Sequence, residues 1–441
     1  MAVNQNNNNN LFQLLFGSVF FLNAVIFFFQ ALTKNLFPPL LLPLREAFLI
    51  DNAQAGLLVT LVFLGYALAR FPSGILADQI GCTKTVLIGS AAMALSFVGV
   101  SLSPGYPVLA VMTFILGVSS GIYVTAGYTL AVIIGSRERA ATATAAFESF
   151  GIMAGIISPV LVTFFVIFLN WQLLFVAVGL LLVVITVLFY SNRQRSNQIE
   201  LDHNRQNGIN NDRRQGKEGS RDRPWAAAGK FFRDLSSSAV IFRDPVIRRF
   251  IIWSTLVGGL GALSWTGINS FIPTFLVEDR GFSYDIANSM YITVSVAGLA
   301  AKIGIGWLAD RFGNNQVLFF NLILSIAGFF MLTVVTLQWQ ILLVLVLLGA
   351  MCLNTNTLIN SYVLRSMPPR YQGAGFGLFS TAYTAIYSLG PYLTGFLSDY
   401  AGLSRAIQIS SAGAVLAAGL ILTAGYFVPR HLVGEMAASH R

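Results

Sequence analysis

Twelve long apolar runs, set out as six, a polar gap and six more, limit this chain more than any other feature. They cover residues 12–42, 54–77, 84–102, 107–134, 141–169, 172–190, 249–276, 285–309, 316–336, 340–366, 373–397 and 406–428. A helix needs about 20 apolar residues to cross the hydrocarbon core of a bilayer, and each run is close to that length or longer. The runs are continuous rather than alternating, which argues against a membrane barrel of strands. Only 10% of the 441 residues are charged, against roughly 25% in a soluble domain, so water cannot be the solvent for this much apolar surface. The expected fold class is an all-α polytopic membrane protein with 12 transmembrane helices in two six-helix bundles.

The stretch between the sixth and seventh runs, 191–248, is rich in Asn, Arg, Gly, Asp and Ser. Such a composition cannot bury enough surface to fold alone, so a disordered linker is expected, followed by a short surface helix around Trp225 to Leu235. Domain bounds follow: a disordered tail over 1–11, bundles over 12–190 and 249–430, and a tail over 431–441. Lys and Arg are sorted by face. Of the 27, the central gap and its edge hold 13, the other loops of that face and the tail 8, and the opposite face 3, with 3 left inside apolar runs. The positive-inside rule then places both termini and the linker in the cytoplasm, with the chain in the plasma (inner) membrane. The same sorting accounts for the net charge of +9 without a nucleic-acid partner. The Asn-rich start lacks the basic residues of a signal peptide, so the first run is expected to remain as a helix.

Cys82 and Cys352 lie in or beside apolar runs, and His203, His431 and His440 lie in polar loop or tail. Neither a metal site, nor a cofactor site, nor a nucleophile-and-base pair can be assembled within the membrane from these, which argues against an enzyme.

The two sets of six are internal repeats. Arg70-Phe-Pro-Ser-Gly74-Ile-Leu-Ala-Asp78-Gln-Ile-Gly81 aligns at an offset of 232 with Lys302-Ile-Gly-Ile-Gly306-Trp-Leu-Ala-Asp310-Arg311-Phe-Gly313. A duplication of this kind sets a substrate path on the axis between the halves. Gly74-x-x-x-Asp78-x-x-Gly81 and Gly306-x-x-x-Asp310-Arg311-x-Gly313 resemble the signature loop of the major facilitator superfamily, and the resemblance covers the chain outside the linker and termini. It implies the facilitator fold, alternating access, and a gate at the cytoplasmic ends formed by Asp78 and Asp310, with Arg137, Arg139 and Arg370 as candidate partners. The alternative is that both aspartates merely cap helices. The first copy departs from the pattern, with Gln79 and Cys82-Thr83 where basic residues are usual.

Arg70 and Lys302 stand eight residues before these aspartates, about 12 Å along a helix, beyond the roughly 6 Å that a snorkelling side chain reaches. A charge at that depth is costly without a cavity or partner, and two cations facing one path want an anion between them. Arg70-x-Pro72-x-Gly74 also resembles the second helix of nitrate/nitrite porters, and Lys302 stands where those and the oxalate/formate exchangers carry an Arg. Glu148-Ser-Phe-Gly151 and Tyr383-Thr-Ala-Ile-Tyr387 do not fit the nitrate porters' signatures, which favours a small organic anion over nitrate. Lys34, near the outer end of the first run, either binds substrate or reaches the outer interface past Pro38-Pro39. Glu148 is the acid clearly inside a span; it either carries a coupling proton or forms an ion pair with Arg70 or Lys302. Tyr123, Tyr128, Trp265, Asn269, Asn354, Asn356, Asn360, Tyr383 and Tyr387 are polar groups able to orient a ligand or to bond helix to helix.

The resulting expectation is a monomeric secondary transporter in the lipid bilayer. It moves a small carboxylate-bearing anion, with a proton or counter-substrate as coupling partner. The alternative is a proton-coupled exporter of drugs or hydrophobic compounds, suggested by the aromatic content and the Gly-Pro segments of the fifth and eleventh runs.

Overall fold

Away from water, a backbone must satisfy its own donors and acceptors, and within one segment only a helix does so. The computed structural model of the protein describes residues 18–135, 140–206, 245–367 and 372–423, and its regular elements there are all helices. The first half comprises α1 (Ser18–Asn35), α2 (Phe37–Phe48), α3 (Asn52–Ile80), α4 (Cys82–Ser101), α5 (Tyr106–Gly135), α6 (Ala140–Phe168) and α7 (Trp171–Ser191). The linker begins with α8 (Arg193–Gln206). The second half comprises α9 (Pro245–Glu278), α10 (Tyr284–Phe312), α11 (Asn314–Val334), α12 (Gln338–Ser366), α13 (Gln372–Ser388), α14 (Gly390–Ala401), α15 (Leu403–Ser410) and α16 (Ala412–Ile421).

Ten of the expected spans are long, apolar and continuous, counting α15 with α16, and α1 with α2 forms an eleventh with a 48° bend. The remaining run is α13 with α14, of 17 and 12 residues. Proline sets both breaks, because it has no N–H and crowds the carbonyl four residues before it. Pro38 and Pro39 free the carbonyls of Lys34 and Asn35, and the first span bends just there. Pro391 frees the carbonyl of Tyr387, which accepts instead from Thr266 Oγ1 at 2.8 Å.

The internal repeat governs packing as well as sequence. A Cβ added at Gly117 would lie 2.2 Å from the Val62 carbonyl oxygen, and one at Gly349 would lie 2.2 Å from that of Val294. Both residues of the second pair are those of the first moved by 232 positions. One turn further on, the small residue changes helix: Gly121 faces Tyr66 in the first half, whereas Gly298 faces Leu353 in the second. Tyr66 is therefore a bulky aromatic whose repeat partner is Gly298.

The halves meet on the face opposite the linker. Arg45 pairs with Glu278 at 2.7 Å, and Tyr284 donates to the Pro39 carbonyl at 2.7 Å. The Asp399 carboxylate takes the backbone N–H groups of Asn52 and Ala53 at 3.0 and 2.8 Å, capping the start of α3 from the other half. Gly395 and Gly56 let α14 lie directly on α3.

The linker departs from expectation. Residues 193–206 form a helix rather than disordered chain, because tertiary contacts hold it. Glu200 accepts from Cys82 N at 2.8 Å, Thr83 N at 3.3 Å and Thr83 Oγ1 at 3.2 Å, and Ser196 bonds Thr83 at 2.7 Å. A carboxylate thus covers the first N–H groups of α4, which begins at Gly81 with φ +96°, a conformation suited to glycine. The helix expected around Trp225 to Leu235 and both chain tails fall outside the described residues. Glu200→Ala is expected to remove a cap of about 0.5–2 kcal/mol and uncover Cys82, which is buried beneath it. In a Cys352→Ser background, thiol labelling of Cys82 should speed up several-fold; an unchanged rate would mean that α8 is held by something else.

Candidate functional site

A cavity of about 400 Å³ lies between the halves. Lys34 and Gln30 of α1, Tyr128 of α5, Glu148 of α6, Trp265 and Asn269 of α9, Lys302 of α10, Asn354 and Asn356 of α12 and Tyr387 of α13 all line it. Gly151 and Gly155 give α6 its close approach to Phe27 and to Ser295, so the wall between α6 and α10 is thin.

Lys302 Nζ lies 2.7 Å from Glu148 Oε2, and both side chains are about one third exposed, at 34% and 35%. This ion pair joins the halves across the cavity, with Tyr128 OH 3.5 Å from the other carboxylate oxygen. Of the two roles open to Glu148, the pairing with Lys302 is present. Lys302 is thereby matched before any ligand arrives, which alters the expected clamp between Arg70 and Lys302.

Lys34 is in a different position. It lies beside the bend between α1 and α2. Its Nζ sits 3.8 Å above the centre of the Tyr66 ring. No carboxylate lies within 4.0 Å of it among the described residues. Arg70, one turn along α3 from Tyr66, places its guanidinium carbon 5.7 Å from the same ring. An aromatic face attracts cations through its quadrupole, by about 0.5–2 kcal/mol, less than a full counter-charge would supply.

The other predicted residues divide. Trp265, Asn269, Asn356 and Tyr387 line the cavity as expected. Asn269 Oδ1 is buried without a hydrogen-bond partner. Tyr383 instead hydrogen-bonds Asn356 Oδ1 and stacks on Phe379 at 5.5 Å, so it orients the amide rather than lining the space. Tyr123 is a packing residue: fully buried, it donates to the Asn23 carbonyl at 2.6 Å. Asn360 lies off the cavity lining, its Oδ1 buried.

On the linker face, Gly81 and Gly313 each take positive φ and start the next helix, while Asp78 and Asp310 are exposed. A Cβ added at Gly74 would lie 3.8 Å from the Thr125 side chain, whereas one at Gly306 would meet open space, and Arg311 lies 5.2 Å from the Trp307 ring. Arg137, Arg139 and Arg370 fall outside the described residues. Sequence reasoning missed Tyr66 and Gln30. The i, i+4 spacing of Tyr66 and Arg70 was the available signal for Tyr66.

The family profile described as Major Facilitator Superfamily matches residues 23–391 and 255–437. The chain belongs to the major facilitator superfamily. It is a multi-pass membrane transporter, not an enzyme. This facilitator is 22% identical over 274 residues to a glycerol-3-phosphate transporter of Bacillus subtilis (strain 168), a match that spans 60% of this chain and 59% of that protein. It is 20% identical over 391 residues to a cis,cis-muconate transport protein of Acinetobacter baylyi, covering 87% of this chain and 85% of the relative. In fold it matches a bacterial homologue of the human lysosomal transporter Spinster in an inward-facing, occupied conformation, with TM-score 0.70 and 14% identity over 93% of this chain and 96% of that one.

Proposed function

We propose that this facilitator carries a small organic anion, bearing a carboxylate or similar group, across the plasma membrane by alternating access. It works as a monomer, with Lys34 as the cation that receives the anionic group. The observation that carries this reading is the imbalance of the cavity: Lys302 is neutralised by Glu148 at 2.7 Å, whereas Lys34 meets the Tyr66 side chain and has no carboxylate within 4.0 Å among the described residues. A cation within a span and without a counter-charge favours whatever brings a negative charge. Glycerol-3-phosphate and muconate, the compounds in the names of the two relatives, are both small organic anions. Trp265, Asn269, Asn356 and Tyr387 orient the rest of the ligand.

The seal of α2, α3 and α14 lies on the face away from the linker, which supports entry to the central cavity from the other face. With the positively charged linker assigned to the cytoplasm, our reading is of an inward-facing state with cytoplasmic termini. Asp78 and Asp310 then stand at the side that must close for the outward state. Glu148 supplies the coupling: an anion that draws Lys302 away leaves the carboxylate to be matched by a proton or by a returning counter-substrate.

The test is uptake by purified protein in proteoliposomes, comparing an organic anion with its neutral isostere. Saturable uptake of the anion alone is expected, and equal uptake of both would overturn the reading. Glu148→Gln frees Lys302 and adds a net positive charge to the cavity. It should lower the anion's KM several-fold and lower kcat more, since the ligand is held rather than released. A KM unchanged by this substitution would separate Glu148 from the binding site.

A further inference from the structure

A seam between α3 of the first half and α13 with α14 of the second runs from the face opposite the linker down to the cavity. Asn52, Gly56, Thr60 and Phe63 follow one another at helical spacing on α3, and Asp399, Gly395, Tyr392 and Tyr387 meet them in turn. At the outer end the Asp399 carboxylate accepts from Asn52 N at 3.0 Å and Ala53 N at 2.8 Å. One turn inward, Gly395 and Gly56 have no room for a Cβ against the facing backbone at Asn52 and Pro391. Next, Tyr392 N donates to Thr60 Oγ1 at 3.1 Å. At the inner end the Phe63 and Tyr387 rings meet edge to face at 5.5 Å, and both line the cavity.

Each side of the seam is fixed to its own half. Helix α3 lies backbone against α5 through Gly65 and Gly117, and α14 lies against α9 through Gly390. Nor does α3 need Asp399 in order to begin. Its own Asp51 accepts from Gln54 N at 2.7 Å, and Asp51 N donates to the Gln54 side chain at 3.3 Å, a complete capping box. Two carboxylates thus serve one helix start, a local one that belongs to the helix and one from the other half that can be withdrawn.

We infer that Asp399 is the latch of the outer gate: its two bonds to the start of α3 hold the seam shut and set how often the cavity opens to the face opposite the linker. This rests on the alternating-access part of the reading above and is independent of the substrate's charge. Opening that face parts α3 from α14, because the two belong to different halves. A carboxylate on two helical N–H groups gains from charge-assisted hydrogen bonds and from the helix dipole. The other polar contacts of the seal are weaker. The Arg45–Glu278 pair has side chains 22% and 35% exposed, where an ion pair contributes little, and Tyr284 gives the Pro39 carbonyl a single neutral bond. The residue 232 positions before Asp399 is Ile167, so the repeat-related seam carries no carboxylate there and the latch is one-sided.

The test reads accessibility of the cavity in the full-length protein. Ala31→Cys, at the cavity wall, serves as reporter in a Cys82→Ser, Cys352→Ser background. The protein is held in sealed vesicles with the face opposite the linker outward, and a membrane-impermeant maleimide is added outside. Asp399→Ala is expected to raise the labelling rate roughly 2- to 30-fold, the change in equilibrium that loss of a helix cap corresponds to. Asp399→Asn, which keeps an acceptor but not the charge, should raise it less. Asp51→Ala is the control: it removes a cap from the same helix end without touching the other half, so it should lower the melting temperature and leave the labelling rate at the wild-type value. An unchanged rate in Asp399→Ala, or an equal rise in Asp51→Ala, would overturn the inference while leaving the anion reading intact. A reporter reached readily from the linker face, and from the opposite face in no variant, would overturn alternating access as well.

Discussion

Lys34→Gln should abolish saturable anion uptake while leaving the protein folded. The ammonium is the cavity's unmatched charge, and removing one partner of a buried, hydrogen-bonded charge pair costs about 2–5 kcal/mol. That range corresponds to a loss of roughly 30-fold to several thousand-fold in affinity. Folding should suffer little, because the ammonium gives up only its contacts with the Tyr66 side chain and the variant no longer places a charge within the span. Lys302→Gln should behave differently. It strands the Glu148 carboxylate, so the main effects expected are reduced stability and altered coupling, with binding weakened less than by Lys34→Gln. Side-by-side uptake isotherms of the two variants check the contrast. If Lys302→Gln alone eliminated binding, the assignment of roles would be reversed.

The second large effect concerns the fold. Gly117→Val and Gly349→Val should each prevent recovery of folded protein, and even Ala at either position should lower the melting temperature by several degrees. A Cβ at these sites would be 2.2 Å from a carbonyl oxygen of the neighbouring helix. No side-chain rotation relieves a clash between two backbones, so α3 and α5, or α10 and α12, must move apart. Overpacking typically costs about 1–3 kcal/mol, and more where nothing can yield. Gly419→Ala, which has open space around it, is the control and should be neutral. The two damaging positions are equivalent under the internal repeat, so they should fail to a similar extent. Size-exclusion profiles and melting curves in detergent decide this.

Much of this architecture was legible in the residues. The twelve runs, the offset of 232 and the paired Gly-Asp-Gly loops all report local or periodic properties, and lipid makes the mapping from run to helix nearly direct. The contacts across the cavity were harder to read. Nothing along the chain indicates whether Glu148 meets Arg70 or Lys302, since that depends on how α6 approaches α10 through Gly151 and Gly155. The bend beside Lys34 was not legible either: the chain turns at Pro38-Pro39 and continues as α2 to Phe48. Tyr123 and Tyr383, open to either orienting a ligand or bonding helix to helix, satisfy neighbouring helices, a choice that aromatic spacing cannot reveal. Helix α8 has too polar a sequence to announce itself, and its order comes from Glu200 and Ser196 meeting the start of α4. Tyr66 escaped notice because its i, i+4 spacing from Arg70, the one signal along the chain, does not tell that Lys34 of another helix meets the same ring.

The central claim is that an unmatched Lys34 makes the cavity an anion site. Its most direct test is a thermal-stability panel on the purified protein with organic anions, their neutral isosteres and organic cations, repeated with Lys34→Gln. The expected result is a rise in melting temperature with anions only, lost in the variant. Stabilisation by neutral amphiphiles or cations, or an anion effect that persists without Lys34, would contradict it.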